Sequence, residues 1–198
     1  KADTARKALN RLSIVLRHAA ALGLDVDLQA TEKAKALLGK TRHVPKNIPA
    51  MAWADVPEFY ASLEEPTLTH LALRLLILNP GVRSKPLRHL RLEQIDGDVW
   101  TVPEGDMKGQ KGKAPAYRVP LCQEAKRIIE LARPHSRNGY LFPNTLGGVI
   151  SDMTMSRMME RRGLEARPHG FRTSLRTWIS DTTDAPHEVA EAMIAHAT

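Results

Sequence analysis

The stretch "LEQIDGDVWTVP", residues 92–103, narrows the fold more than any other. Two β-type segments flank Asp96-Gly97, a pair that reads as the two-residue turn of a hairpin. A third strand is expected in "APAYRVPL", residues 114–121, reached through the loop "EGDMKGQKGKA". The chain around this β interruption is helical in pattern. Leu9, Leu12 and Leu16 recur at helical spacing over residues 4–22, closed by Gly23, and a second helix over 31–38 ends at Gly39. Further helices start at caps: Asp55 with Pro57 in the first turn, Thr67, Ser84 with Pro86, and Ser151 or Asp152. Others cover "CQEAKRIIELAR", "HGFRTSLRTWISD" and "APHEVAEAMIAH", the last with Pro186 at its first position. The expected fold class is mainly α with a small three-stranded antiparallel sheet, an α+β arrangement.

Between the first two helices and the rest runs "KTRHVPKNIPAMAW", basic and interrupted by prolines, which reads as a linker passing something negative. The 198 residues carry a net charge of +7 and a pI near 9.8. That surplus favours a polyanionic partner, because each Lys or Arg that neutralises a phosphate releases counterions. No apolar run is long enough to span a bilayer; "LALRLLILNP" is broken by Arg74. The single cysteine, Cys122, excludes an internal disulfide and fits a reducing cytoplasm, where it is expected to pack as a small apolar side chain.

The chemistry concentrates in "RPHGFR". His169 and Arg172 stand three apart at a helix start, where side chains share a face and unpaired backbone N–H groups favour an anion. Alone, such a pair is also what a capping histidine and a surface arginine look like. A metal reading of His169, His187 and His196 lacks the acidic or cysteine partner that zinc sites use, and neighbouring arginines would repel a cation. The methionines of "MTMSRMMERR" fit a core, and Trp53, Trp100 and Trp178 fit core or interface packing. Arg157, Arg161 and Arg162 fit either phosphate tracking or a solvated face.

Taken in order, these elements resemble the tyrosine recombinases of the prophage-integrase type. "HGFRTSLRTW" resembles their His-x-x-Arg motif and its following helix; "AEAMIAH" resembles their Leu-Gly-His motif, with Ile194 and Ala195 replacing Leu and Gly. The block "NPGVRSKPLRHLRLEQIDGDVWTVPEGDMKGQKGKAPAYRVPL" resembles the region of their first arginine and hairpin lysine. The resemblance implies residues 1–39 as the end of a helical core-binding domain, 40–52 as a basic linker that lets two lobes close on a duplex, and 53–198 as the catalytic domain. It implies Arg83 and Arg172 as holders of the non-bridging phosphate oxygens and Lys108 as general acid for the 5′-oxygen. His169 would accept the proton of an attacking tyrosine, and His196 would hydrogen-bond the phosphate. Arg42, Lys46, Lys111, Lys113 and Arg157 are expected DNA contacts. Strand exchange through a 3′-phosphotyrosine keeps the bond energy, so neither ATP, another cofactor nor a metal is implied.

The implied partner is double-stranded DNA at attachment sites of a prophage or other mobile element, in the bacterial nucleoid, with no membrane. Full-length family members assemble as tetramers. The tyrosine should follow His196, whereas Tyr60, Tyr117 and Tyr140 stand elsewhere in the family order, so the nucleophile is expected beyond Thr198 and this chain alone is expected to bind without cleaving. Pro86 replaces the usual acid three positions after the first arginine, and Ala195 is expected on an ordinary helical backbone. The rivals are a non-catalytic DNA-binding module and a type IB topoisomerase-like relaxing activity.

Overall fold

The computed structural model describes residues 2–38, 47–107 and 116–195, and its contacts divide the chain into Lys1–Asn47 and Ile48–Thr198. In the first unit α1 (Ala2–Ala21) stops where Gly23 turns left-handed at φ 80. The Leu24 N–H then reaches the Ala19 carbonyl at 3.1 Å and the Gly23 N–H reaches Ala20 at 2.9 Å, a Schellman closure. α2 (Ala30–Leu38) follows. Ser13 and Thr31 are buried in this unit, while Leu12, Ile14, Val15, Leu22, Leu37 and Leu38 are exposed.

The second unit is built around α4 (Leu68–Leu78), which follows α3 (Val56–Ala61) and begins where the Thr67 hydroxyl accepts the His70 N–H. Leu71, Leu73, Leu75 and Leu76 are buried, because a helix packed on several sides needs apolar residues around most of its circumference. α4 packs on α6 (Gln123–Ala132), through Ala125, Ile128 and Ile129, and on α7 (Thr154–Arg161), through Met155 and Met159. Short α5 (Ser84–Arg88) precedes the antiparallel sheet β1 (Ile95–Asp96), β2 (Val99–Val102) and β3 (Tyr117–Pro120), in that order. Trp100, Val102 and Val119 point into the core, and the Trp100 indole N–H donates to Gln94 at 3.2 Å. α8 (Phe171–Thr182) and α9 (His187–Met193) complete the unit. The helical fold with its three-stranded sheet is the architecture expected from the sequence.

Local details differ. The register Asp96↔Val99 makes Gly97-Asp98 the turn pair, one residue later than expected; Gly97 at φ 54 takes the first central position, which a II′-type turn gives to glycine. Asp55 caps nothing with its side chain, since a tight turn at Trp53–Asp55 already leads into α3. Ser84 is the first residue of α5 and Arg83 holds the cap position. Met153 precedes α7, while the Ser151 hydroxyl accepts the Met153 N–H at 3.2 Å and Asp152 forms no cap. Pro186 is the cap residue of α9 rather than its first. Cys122 is exposed: Leu121 takes the buried position at the end of β3, so the next side chain faces out. Trp53 and Trp178 are partly exposed across an apolar groove floored by Phe171, unlike fully buried Trp100.

Candidate active site

α4 ends in a turn that the buried Asn79 organises: its side-chain amide donates to the Leu75 carbonyl at 2.9 Å, and its own carbonyl accepts the Val82 N–H at 2.9 Å. The Pro80 and Gly81 carbonyls are thereby turned toward α8. Arg172, the second residue of α8, crosses to them. Its Nη1 donates to Pro80 at 3.2 Å and to Gly81 at 2.5 Å, and its Nη2 donates to the carbonyl of Ile194, the C-cap of α9. The side chain is 6% exposed. Guanidinium carries five N–H donors; with three committed here, the Nε–H and one Nη2 N–H remain for another acceptor.

Gly81 is required by this packing. A Cβ there would lie 2.3 Å from the Met193 carbonyl oxygen and 2.9 Å from the Tyr117 hydroxyl. α9 is held on α8 by an ion pair of Arg176 Nε with Glu191 at 2.9 Å. Ala195, just past α9, has φ 50. The expectation of an ordinary helical backbone there is overturned: the residue takes the left-handed conformation in which glycine is at ease, and alanine is strained.

Arg83 leads into α5 directly after the same turn and is half-buried. Among the described residues no ion pair and no side-chain hydrogen bond engages its guanidinium. Burial first, and then the nearby Arg83 charge, push the Arg172 guanidinium down to about 10, with Tyr117 and Glu191 opposing. Among the described residues no ion pair ties either arginine to a carboxylate, Glu191 being bonded to Arg176, so an anion placed here would stabilise the pair. His169 is exposed in the tight turn Pro168–Gly170 that feeds α8, between buried Pro168 and buried Gly170.

The structure thus brings Arg83 and Arg172 together at one turn and sets His169 three residues ahead of Arg172. Arg157 lies apart, exposed on α7 in a polar cleft with Thr67, Thr69, Ser151, Thr154 and Arg161. Arg161 is exposed on that face, whereas Arg162 is tied to the Ser62 hydroxyl at 3.0 Å. Lys108, Lys111, Lys113, His196, Arg42 and Lys46 lie outside the described residues. Among the described residues no group of three or more His, Cys, Asp or Glu gathers as a metal site, and no helix is long and apolar enough to cross a membrane.

Sequence reading missed Tyr117, a half-buried phenol beside Arg172 and against Gly81, and the carbonyl seat itself. The one sequence signal for the seat was Pro80-Gly81, a turn dipeptide immediately before Arg83.

Residues 50–198 match the sequence model of the Phage integrase family, and the chain belongs to that family. It is 30% identical over 169 residues to the integrase/recombinase-type protein y4rF of Sinorhizobium fredii, covering 76% of this chain and 38% of that relative. The fold resembles that of a lambda integrase dimer bound to a COC′ core site, with a TM-score of 0.66 at 17% identity over 100% of this chain and 73% of the other. It also resembles the Tn1549 transposon integrase in complex with circular intermediate DNA (TM-score 0.62, 13% identity, 99% and 72% covered). A third match is the XerA recombinase (0.58, 16%, 93% and 64%).

Proposed function

We propose that this chain supplies the phosphate-handling part of a site-specific DNA recombinase. Residues 1–39 are the end of a core-binding domain, 40–52 a basic linker and 53–198 the catalytic domain. The observation that carries the reading is the Arg83–Arg172 pair, two like charges at one turn that no ion pair neutralises among the described residues, the nearby Glu191 being bonded to Arg176. A DNA phosphodiester placed there accepts the uncommitted Arg172 N–H groups and the Arg83 fork, and both cations stabilise the charge that builds on its non-bridging oxygens during transfer. His169 accepts the proton of an attacking tyrosine hydroxyl as that oxygen bonds to phosphorus. The bond to the 5′-oxygen breaks, and Lys108 gives that oxygen its proton, leaving a 3′-phosphotyrosine and a 5′-hydroxyl. His196 hydrogen-bonds the phosphate.

The tyrosines within the chain fit the role of nucleophile poorly. Tyr60 bonds Glu124 at 2.8 Å, Tyr140 faces the Arg91 guanidinium, and burial pushes the Tyr117 phenol above its usual range. These contacts support the reading in which the nucleophile is a different tyrosine, beyond Thr198. The partner is duplex DNA carrying an attachment site, with tetrameric assembly on paired sites, in the nucleoid.

The test is covalent-complex formation by the complete protein on nicked site DNA. The wild type traps a phosphotyrosyl adduct, Arg83→Ala lowers its rate by about 100-fold or more, and duplex affinity falls only modestly because other cations remain. DNA binding with no adduct under any nick position would instead establish a non-catalytic binder.

A further inference from the structure

His169 is exposed, yet the backbone on both sides of it is tied to a segment far away in the chain. Residues 48–51 cross the start of α8. The Arg167 N–H donates to the Pro49 carbonyl at 3.1 Å, two residues before His169. One residue after it, Gly170 meets the same segment so closely that a Cβ would lie 2.4 Å from the Pro49 oxygen and 2.7 Å from the Ala50 Cα. Five residues after it, the Ser174 hydroxyl donates to the Met51 carbonyl at 2.5 Å. That hydroxyl also lies 3.3 Å from the Gly170 carbonyl, so the side chain that holds the crossing segment sits directly beside the residue next to His169. Ser174 is 5% exposed, which shields both contacts from competing water.

The loop entering the turn is fixed as well. Arg167 Nη1 donates to the Leu164, Glu165 and Ala166 carbonyls at 2.7, 2.9 and 3.0 Å. His169 is thus the solvent-facing residue of a turn whose neighbours on each side are tied down. Ser174 stands in the first turn of α8, where a buried hydroxyl is costly without a partner, and this one reaches outside its own helix.

We propose that residues 49–51 form a strap that positions His169, with Ser174 as its tie and Gly170 as the close contact that makes the strap possible. Ser174 and Gly170 are positioning residues: neither contributes an atom to the proton transfer, and both act through the orientation of the His169 turn. The inference rests on the proposed role of His169. A misplacement of about 1 Å at a catalytic group costs on the order of 100-fold in rate, and loosening one of three ties is expected to cost part of that.

The experiment is a double-mutant cycle on adduct formation by the complete protein at saturating nicked DNA, below the melting range of every variant. Ser174→Ala is expected to lower the rate about 10-fold with DNA affinity changed less than twofold, and Ser174→Thr, which keeps the hydroxyl, to restore most of it. In a His169→Ala background, Ser174→Ala is expected to have no further effect, because a positioning residue is silent once the group it positions is gone. A Ser174→Ala rate equal to wild type, or an undiminished effect in the His169→Ala background, overturns the strap. If His169→Ala itself leaves the rate unchanged, the role assigned to His169 fails instead. Gly170→Ala gives the second measurement: if folded, it must lose at least as much rate as Ser174→Ala, and wild-type activity from it refutes the close contact.

Discussion

Replacing Arg172 should destabilise the second unit, and the size of the effect follows from the seat. Arg172→Ala removes three hydrogen bonds from a charged donor to the Pro80, Gly81 and Ile194 carbonyls. Such bonds contribute roughly 1.5–3 kcal/mol each, or about 4–9 together. Against this stands the cost of keeping the cation buried beside Arg83. A guanidinium pushed from 12.5 to about 10 is disfavoured at neutral pH by about 3 kcal/mol. The net expectation is a loss of about 1–6 kcal/mol, each kcal/mol lowering Tm by about 2–4 °C for a unit of this size.

Arg83→Ala should behave in the opposite way. It deletes a like charge and breaks no hydrogen bond of its guanidinium among the described residues, so stability should stay level or rise. Urea melts followed by tryptophan emission suit the test, because Trp53, Trp100 and Trp178 all lie in the second unit and report on it alone. A midpoint for Arg172→Ala within about 1 kcal/mol of wild type would refute the view that the carbonyl seat holds this region together. The practical corollary is that an inactive Arg172→Ala protein says nothing about chemistry until its fold has been checked.

Three further outcomes are expected. Ala195→Gly should stabilise by about 0.5–1 kcal/mol in the same melts, since glycine is unstrained at φ 50. Gly81→Ala should destabilise by about 1–3 kcal/mol or more, because its methyl would meet a backbone oxygen at 2.3 Å that cannot swing away; an unchanged midpoint would show that the turn relaxes freely. Acid should weaken the second unit through Glu124, whose carboxyl is held at about 2 by the Arg127 hydrogen bonds first, with Tyr60 and Arg74 assisting. The folded value lies below the unfolded one, so this stabilisation is full above about pH 4.5 and fades as pH falls toward 2. After discounting for a side chain 34% exposed it amounts to about 1 kcal/mol, and Glu124→Gln should flatten that part of the stability-versus-pH curve.

The hairpin and the long helices were legible in the sequence because periodicity and turn chemistry are local. α4 and α6 show why: their apolar residues recur at a spacing that only a buried helix face explains. The one-residue error at Gly97 shows the limit. The glycine marks a turn, but the register comes from burying Trp100 and Val102 on one face. The caps at Ser84 and Asp152 failed for a related reason, since short helices are set by what they pack against rather than by their first residue. In the site, residue types were legible and their surroundings were not. Nothing near position 172 announces that its side chain is buried against carbonyls from two other stretches of chain, or that residues 49–51 lie under Gly170.

The seat of Arg172 is composed of main-chain oxygens, and every residue brings one of those whatever its side chain. Positions 80 and 194 can therefore drift widely in identity while the cradle persists, provided the turn and the end of α9 keep their course. Only position 81, where bulk is excluded, and position 172 itself are held by type. The most demanding contact in this unit is thus encoded by the path of the backbone, which the side chains at positions 80 and 194 do not announce.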